Sequence, residues 1–425
     1  MIEQPDTTES VLSKRHIAAL LAGNALEFYD FLIFSFFAIP IGRTFFPSHA
    51  AEASLLATLA TFGAGFLTRP IGGIVIGLYA NRAGRKPAMV LSFVLMGIAM
   101  VGMACTPAFA AIGVSAQVLV VAWRLLQGFA LGGEVGPTTA ALVEGAPAHR
   151  RGLFGSLQIG TQQVAITVVG IVGFSLSTSF GAGAMEAWGW RAALLAGLIV
   201  VPLGLVIRRA LPETLHAKST VDPSPTRGRM VRVVALVFLV IAGNTVGTYV
   251  LNTLTTYAIS TLKMPADVGF TATLVRGACG AMAAITGGIL ADRFGRRWPM
   301  IIATVAGGIV AVPLLVLVVK THAPATLWLA SGVLGALVAG AGAPALTVAV
   351  EALPARLRAG AIGICYAFAI SVFGGSTPFL VTWLTGATHD PLVPGWCLAI
   401  ASIVGVVAVW FLPETAPGRQ KNNHG

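Results

Sequence analysis

Two carboxylates, Glu27 and Asp30, lie three residues apart in the apolar stretch GNALEFYDFLIF (residues 23–34). Residues at this spacing share roughly one face of a helix, and Asn24 continues that face. Apolar surroundings disfavour the charged form of a carboxylate, whereas a neighbouring arginine favours it. Two close carboxylates also titrate as a coupled pair. Residues of these types at this spacing could therefore bind and release a proton.

Six charged side chains stand within long apolar segments of the chain. A charge at the centre of a membrane-spanning helix costs roughly 2.5–3.5 kcal/mol, so the six together cost on the order of 15–20 kcal/mol before pairing or hydration. Two explanations stay open: structural ion pairs, or a pathway for a proton and an anion. The six are Glu27, Asp30, Glu134, Arg69, Arg124 and Arg276.

The carboxylates among these six are the candidates for proton coupling. All seven histidines lie at span ends, in loops or in tails, so histidine is a poor candidate despite its suitable pKa. An anionic substrate that takes the arginine partner of a carboxylate would let that carboxylate accept a proton. We therefore predict that Glu27 or Asp30 carries the proton and the other tunes it, with Glu134 as the rival carrier.

Arginines and amides are the candidates for substrate binding. The planar guanidinium fork holds a carboxylate with two hydrogen bonds, and amides suit hydroxyl and carboxylate groups. The alternative role of Arg276 is pairing with a backbone carbonyl or with Glu134, and that of the amides is interhelical hydrogen bonding. The predicted substrate-binding residues are Asn24, Arg69, Arg124, Gln158, Gln162, Asn252, Arg276 and Tyr366.

These residues are embedded in a strongly apolar chain of 425 residues, 56% hydrophobic and only 10% charged. Soluble domains carry about 25% charged residues, so the composition predicts an all-α membrane protein with many spans. Residues 1–13 are polar and acidic, so we expect that they do not form a signal peptide. Neither a Walker loop, a nucleophile elbow nor a metal-ligand cluster occurs. We expect no enzyme activity and no cofactor, and an ion gradient as the energy source.

Hydropathy and helix breakers predict twelve transmembrane helices. Most of the Lys and Arg residues fall in the termini and the even-numbered loops, which predicts that both termini are cytoplasmic and that the net charge of +11 reflects topology rather than nucleic-acid binding. We expect a multi-pass protein of the cell inner (plasma) membrane. The predicted spans are 16–41, 53–79, 88–108, 112–136, 152–178, 190–208, 231–257, 267–290, 298–319, 326–350, 359–383 and 395–412.

An internal repeat divides the chain into two halves. GLYANRAGRK (77–86) matches GILADRFGRR (288–297), and LPET ends both halves. These markers predict two six-helix pseudo-symmetric halves with a site between them near the membrane midplane. The predicted organisation is a cytoplasmic N-terminus (1–15), an N-terminal bundle (16–208), a central cytoplasmic loop (209–230), a C-terminal bundle (231–412) and a cytoplasmic tail (413–425).

The repeated loops resemble the signature between helices 2 and 3 of the major facilitator superfamily. GNALEFYDF, FLTRPIGG, RLLQGFALGGE and FFPS resemble the metabolite:proton symporter family, and FGAGFLTRPIGG, TQQVAI and FGGSTP are similar to its citrate (tricarboxylate)–proton symporter branch. The resemblance implies the major facilitator fold and a monomer that imports a citrate-like organic anion with protons by alternating access. It also implies gating roles for the loop residues Asn81, Arg82, Arg85, Asp292, Arg293 and Arg296.

The first loop departs from the family pattern, because Asn81 stands where the family usually has Asp, whereas the second loop keeps Asp292. The resemblance implies that this Asp stabilises the outward-open state, so the conformational balance could differ in this chain. The alternatives are a 2-oxoglutarate or proline/betaine proton symporter of the same family and, from another class, a non-transporting membrane sensor. Sodium remains an alternative to the proton as the coupling ion.

Overall fold

A computed structural model describes residues 14–132, 142–143, 145–198, 227–352 and 366–416. Within these ranges the chain is helical, with short connections and no strand. The helices are α1 (Lys14–Phe36), α2 (Ala38–Phe45), α3 (Ala51–Leu67), α4 (Arg69–Ala83), α5 (Arg85–Cys105), α6 (Phe109–Ile112), α7 (Val114–Leu131), α8 (Arg151–Ala184), α9 (Trp190–Leu198), α10 (Arg227–Asn252), α11 (Leu254–Ser260), α12 (Ala266–Phe294), α13 (Arg297–Thr321), α14 (Pro324–Glu351), α15 (Gly375–Thr388) and α16 (Val393–Phe411).

Eleven segments of the described chain are helical, long and apolar enough to cross a membrane. They match eleven of the twelve predicted spans, and α9 begins the sixth predicted span, 190–208, of which residues 199–208 lie outside the described residues. Glu134 also lies outside them, as does most of the predicted central loop, 209–230. The all-helical architecture predicted from composition is therefore confirmed, and it fits a twelve-helix bundle.

Three of the predicted continuous spans are interrupted near polar side chains or prolines. The first breaks at Phe37, the second at Thr68 and the seventh at Thr253. Pro70 stands in the first turn of α4, where its missing N–H interrupts the helical hydrogen bonding. At Thr253 the backbone N–H is shared between the carbonyls of Tyr249 and Val250, and the side-chain hydroxyl also donates to Val250.

The two halves of the chain pack against each other on small residues. Helix α8 of the first half lies along α12 of the second, and α3 lies along α15. A Cβ atom at Gly288 would stand only 2.6 Å from the carbonyl oxygen of Gly152, and one at Gly63 would stand 2.6 Å from that of Gly375. Backbones this close leave no room for larger side chains, so small residues permit close helix packing at these crossings.

Candidate functional site

The buried carboxylate of Asp30 lies on α1 within electrostatic range of the guanidinium of Arg124 on α7, although the two form no ion pair. Both residues have no exposed surface. Arg124 donates to the side-chain oxygen of Gln127, and Gln127 donates to the Asp30 carbonyl over 3.4 Å. Neither carboxylate oxygen of Asp30 accepts a hydrogen bond of standard geometry from a described residue. An unsatisfied buried carboxylate near an arginine can respond to a change in that arginine's contacts by binding a proton.

The ring of Phe31 lies close to two guanidinium groups. The Cζ atom of Arg69 is 4.1 Å from its centroid, and that of Arg124 is 4.4 Å away. Phe66 offers a second ring to Arg69 at 4.5 Å. Cation–π contacts stabilise buried cations without neutralising their charge. Arg69 Nε and Arg124 Nε and Nη2 have no hydrogen-bond partner among the described residues, so donors remain for an anion.

Asn24 and Gln158 join α1 to α8 within the first half. The Gln158 amide donates to Asn24 Oδ1 over 2.8 Å, and Asn24 Nδ2 donates to the Gln158 carbonyl and to Thr161 Oγ1. These bonds consume much of the hydrogen-bonding capacity predicted to face a substrate. Glu27 is buried one turn further along α1, 4% exposed, so the predicted face of α1 points into the bundle.

Arg276 is the buried cation of the second half. Its Nη1 donates to Asn252 Oδ1 over 2.5 Å and its Nη2 to the Thr248 carbonyl over 3.2 Å, both on α10. No described residue accepts a hydrogen bond from its Nε. A Cβ atom at Gly335 on α14 would stand 2.7 Å from Arg276 Cγ, so that glycine makes space for the side chain. The predicted residues Asn252 and Arg276 are therefore brought together.

A cavity of ≈ 50 Å³ lies between the halves, with walls from α1, α8, α10 and α14. Its volume admits about three or four waters and is too small for a tricarboxylate, so the helices must separate to admit such a ligand. Three predicted residues line it: Gln162, Asn252 and Tyr366. Its polar lining residues are Gln162, Gln163, Asn244, Thr245, Thr248, Tyr249, Asn252 and Tyr366.

Sequence reasoning missed Tyr249, which connects this cavity to the charged cluster. Tyr249 is 4% exposed, and the positive charges of Arg69, Arg124 and Arg276 act on its hydroxyl group. Its ring packs edge-on against Phe66 of the first half, with centroids 5.6 Å apart. Tyr249 therefore lines the cavity and lies within electrostatic range of arginines from both halves.

A network of hydrogen bonds and ion pairs joins the halves at one end of the bundle. The backbone N–H groups of Gly152 and Leu153, in the first turn of α8, donate to the two oxygens of Asp292, each over 2.8 Å. Arg296 donates to Asp292 and, through two nitrogens, to Glu351. Burial alone would lower the pKa of Arg296, but Glu351 and Asp292 hold that pKa above its ordinary value.

This network contains two of the predicted gating residues, Asp292 and Arg296. Arg82 and Arg293 are exposed, without an ion pair to a described residue. The side chains of Asn81 and Arg85 lie outside the part of the chain that the structure describes. An aspartate at a helix N-terminus is favourable because the free N–H groups and the helix dipole attract negative charge.

Both halves of the chain match known families of membrane transporters. Residues 16–224 match the family of sugar (and other) transporters, and residues 233–425 match the Major Facilitator Superfamily. A citrate-proton symporter of Klebsiella pneumoniae is 35% identical over 93% of this chain and 91% of its own length. A putative proline/betaine transporter of Staphylococcus aureus (strain COL) is 28% identical over 98% of this chain and 92% of its own length.

Solved structures agree on the fold. The xylose transporter XylE from E. coli, in a partially occluded inward-open conformation, superposes with a TM-score of 0.75 at 19% identity, covering 94% of this chain and 98% of that one. The chain belongs to the major facilitator superfamily of membrane transporters. Within it, the chain is a member of the group that contains the citrate-proton symporters.

Proposed function

We propose that this protein is a symporter that imports a citrate-like tricarboxylate or related organic anion together with protons, by alternating access. The observation that carries the proposal is the convergence of three buried arginines, Arg69, Arg124 and Arg276, near one cavity between the halves. Each retains at least one guanidinium nitrogen without a partner among the described residues. Buried cations with free donors suit a ligand that carries several carboxylates.

Arg276 is the proposed specificity residue, and Asn252 orients it. The hydrogen bonds to Asn252 and the Thr248 carbonyl hold the guanidinium and leave Nε for the ligand. Gln162 and Tyr366, which also line the cavity, supply uncharged hydrogen-bonding groups for hydroxyl or carboxylate oxygens. Asn24 and Gln158 act in this proposal as the support that holds α1 against α8 rather than as direct ligands.

Asp30 is the proposed proton carrier, with Glu27 as the second member of a coupled pair. Attraction to Arg124 favours the charged carboxylate of Asp30, and complete burial favours the neutral one. When the anion engages Arg69 and Arg124, the attraction at Asp30 weakens and a proton binds. Substrate and proton then enter together, and the proton gradient supplies the energy.

The proposed gate is the Asp292 network, which lies at the cytoplasmic end if both termini are inside the cell. Its closed form joins the two proposed bundles, residues 16–208 and 231–412, and leaves the opposite end free to open. The protein is proposed to work as a monomer in the inner membrane. Each half moves as one body, because the contacts between halves rest on small residues that allow sliding.

Radiolabelled uptake into proteoliposomes tests the substrate class. We expect citrate to accumulate under an inward proton gradient, and unlabelled tricarballylate to compete more strongly than 2-oxoglutarate or betaine. Uptake of betaine without uptake of citrate would favour the alternative suggested by the proline/betaine relatives. Citrate accumulation driven by a sodium gradient alone would instead contradict proton coupling.

A further inference from the structure

A second cavity, of ≈ 680 Å³, lies at the end of the bundle opposite the Asp292 network. Its walls come from both halves: Arg43 and Glu52 from the first, and Lys263, His322 and His389 from the second. We call this space the vestibule. It is much larger than the central cavity, and neither the proposed substrate site nor the proposed gate includes any residue that lines it.

Lys263, His322 and His389, the three residues from the second half, share a left-handed backbone conformation. Lys263, His322 and His389 have φ angles of 55°, 49° and 55°, and within the described ranges they are the non-glycine residues with positive φ. The two histidines directly follow the last residues of α13 and α15. Glycine is the usual residue at such helix ends, because a side chain in the left-handed conformation has a steric cost. The two histidines are present at these positions despite that cost. All three of these side chains line the vestibule.

The charge balance around the vestibule depends on the histidines. Arg43 is paired with Glu186, whereas Lys263 donates only to the Ser260 carbonyl among the described residues. Four other charged residues lie on the surrounding elements: Glu52, Asp267, Lys320 and Asp390. Together with Arg43, Glu186 and Lys263 they make three positive and four negative charges, so the net charge is −1. Protonation of His322 and His389 changes this to +1, and His49, before α3, shifts it in the same direction. Unlike lysine at Lys263, histidine alternates between a neutral and a positively charged form.

We infer that the vestibule is a docking site for an organic carboxylate, which it binds when His322 and His389 are protonated. Lys263 supplies the permanent charge, and the histidines add two more as the medium becomes acidic. An outer site with this behaviour would collect anions where protons are plentiful, before the central cavity opens. The assignment of the anion as citrate-like, and of this end as the outer one, rests on the proposed function.

The effect can be estimated from charge alone. One added unit charge about 6 Å from a carboxylate in a water-like dielectric changes affinity about threefold, so two histidines change it about tenfold. Asparagine tolerates the left-handed backbone and carries no charge. The double variant His322→Asn/His389→Asn therefore removes the titration while keeping the helix ends.

Calorimetric titration of purified protein with citrate at pH 5.5 and pH 8.0 tests the inference. The background is Arg276→Gln, which disables the proposed central site, and His149→Asn is the matched control because His149 is exposed but far along the chain from the vestibule elements. We expect Arg276→Gln protein to bind citrate at pH 5.5, the added histidine substitutions to weaken that binding about tenfold at pH 5.5 only, and His149→Asn to change nothing.

Two results would overturn the inference: no citrate binding by the Arg276→Gln protein at pH 5.5, or the same affinity with and without the vestibule histidines. Failure of the proposed function is recognisable separately. If the unmodified protein takes up no citrate but the histidine-dependent binding at pH 5.5 persists, the vestibule site stands and the transport proposal does not.

Discussion

Removing the charge of Asp292 should open the proposed gate. The carboxylate accepts backbone hydrogen bonds from Gly152 and Leu153 at 2.8 Å each and an ion-pair contact from Arg296. In Asp292→Asn one oxygen becomes an NH₂ group that faces a backbone donor, so one charge-assisted bond is lost and the other is weakened. Hydrogen bonds to charged groups contribute about 1.5–3 kcal/mol, so the closed state should lose about 2–3 kcal/mol. That shifts the equilibrium toward the open state about 30- to 140-fold.

Cysteine labelling can measure this shift. Ser156 is fully buried on α8, where it faces Gly288 of α12 just inside the gate. In a chain without its native cysteines, Ser156→Cys should react with a water-soluble maleimide at a rate proportional to the open population. We expect Asp292→Asn to raise this rate about 30- to 140-fold. Asp267→Asn, at the other end of the same helix, is the matched control and should leave the rate within twofold.

An unchanged rate in Asp292→Asn would refute the reasoning, because it would mean that the charged hydrogen bonds do not hold the halves together. The natural Asn81 offers the reverse experiment. If the two repeated loops act alike, Asn81→Asp should slow the labelling of Ser156→Cys. Faster labelling would show that the first loop works differently from the second.

Three further substitutions test the central site through initial rates of uptake. Arg276→Lys keeps the charge but loses the planar fork, so the KM for citrate should rise at least tenfold; an unchanged KM would remove Arg276 from the site. Tyr249→Phe keeps the ring that packs on Phe66 and loses only the hydroxyl, so KM should rise about 2- to 10-fold with little change in kcat; a fall in kcat alone would point to a role in movement instead. Gly63→Ala places a Cβ 2.6 Å from the Gly375 carbonyl, so kcat should fall several-fold with KM little changed, and full activity would mean that the halves do not meet there during the cycle.

Much of the fold follows from hydropathy, because a bilayer demands long apolar helices and the chain has few ways to satisfy its backbone otherwise. The breaks at Phe37, Thr68 and Thr253 do not follow from it. Hydropathy averages over many residues, whereas the breaks at Thr68 and Thr253 each depend on one missing or shared N–H group. The proline at position 70 was the available signal for the second break.

The charged residues of the candidate site could be predicted from the sequence, because placing a charge inside a membrane costs free energy. Asp30, Arg69, Arg124 and Arg276 each raise the cost of membrane insertion, and the structure buries all four. Tyr249 was missed because an aromatic residue in an apolar helix gives no such signal.

Amide contacts between distant helices were harder to foresee. Gln127 could have been found, since it stands three residues after Arg124 and so shares its face. The pairing of Asn24 with Gln158 joins residues 134 positions apart, and only the packing of α1 on α8 brings them together.

The most direct test of the central claim compares the unmodified protein with Asp30→Asn in proteoliposomes. Asparagine keeps the size of the side chain but cannot alternate between protonation states. We predict that Asp30→Asn still exchanges internal for external citrate yet no longer accumulates citrate under a proton gradient, with Glu27→Gln retaining part of the accumulation. Accumulation by Asp30→Asn that equals that of the unmodified protein would contradict the account, because proton coupling would then run through another group.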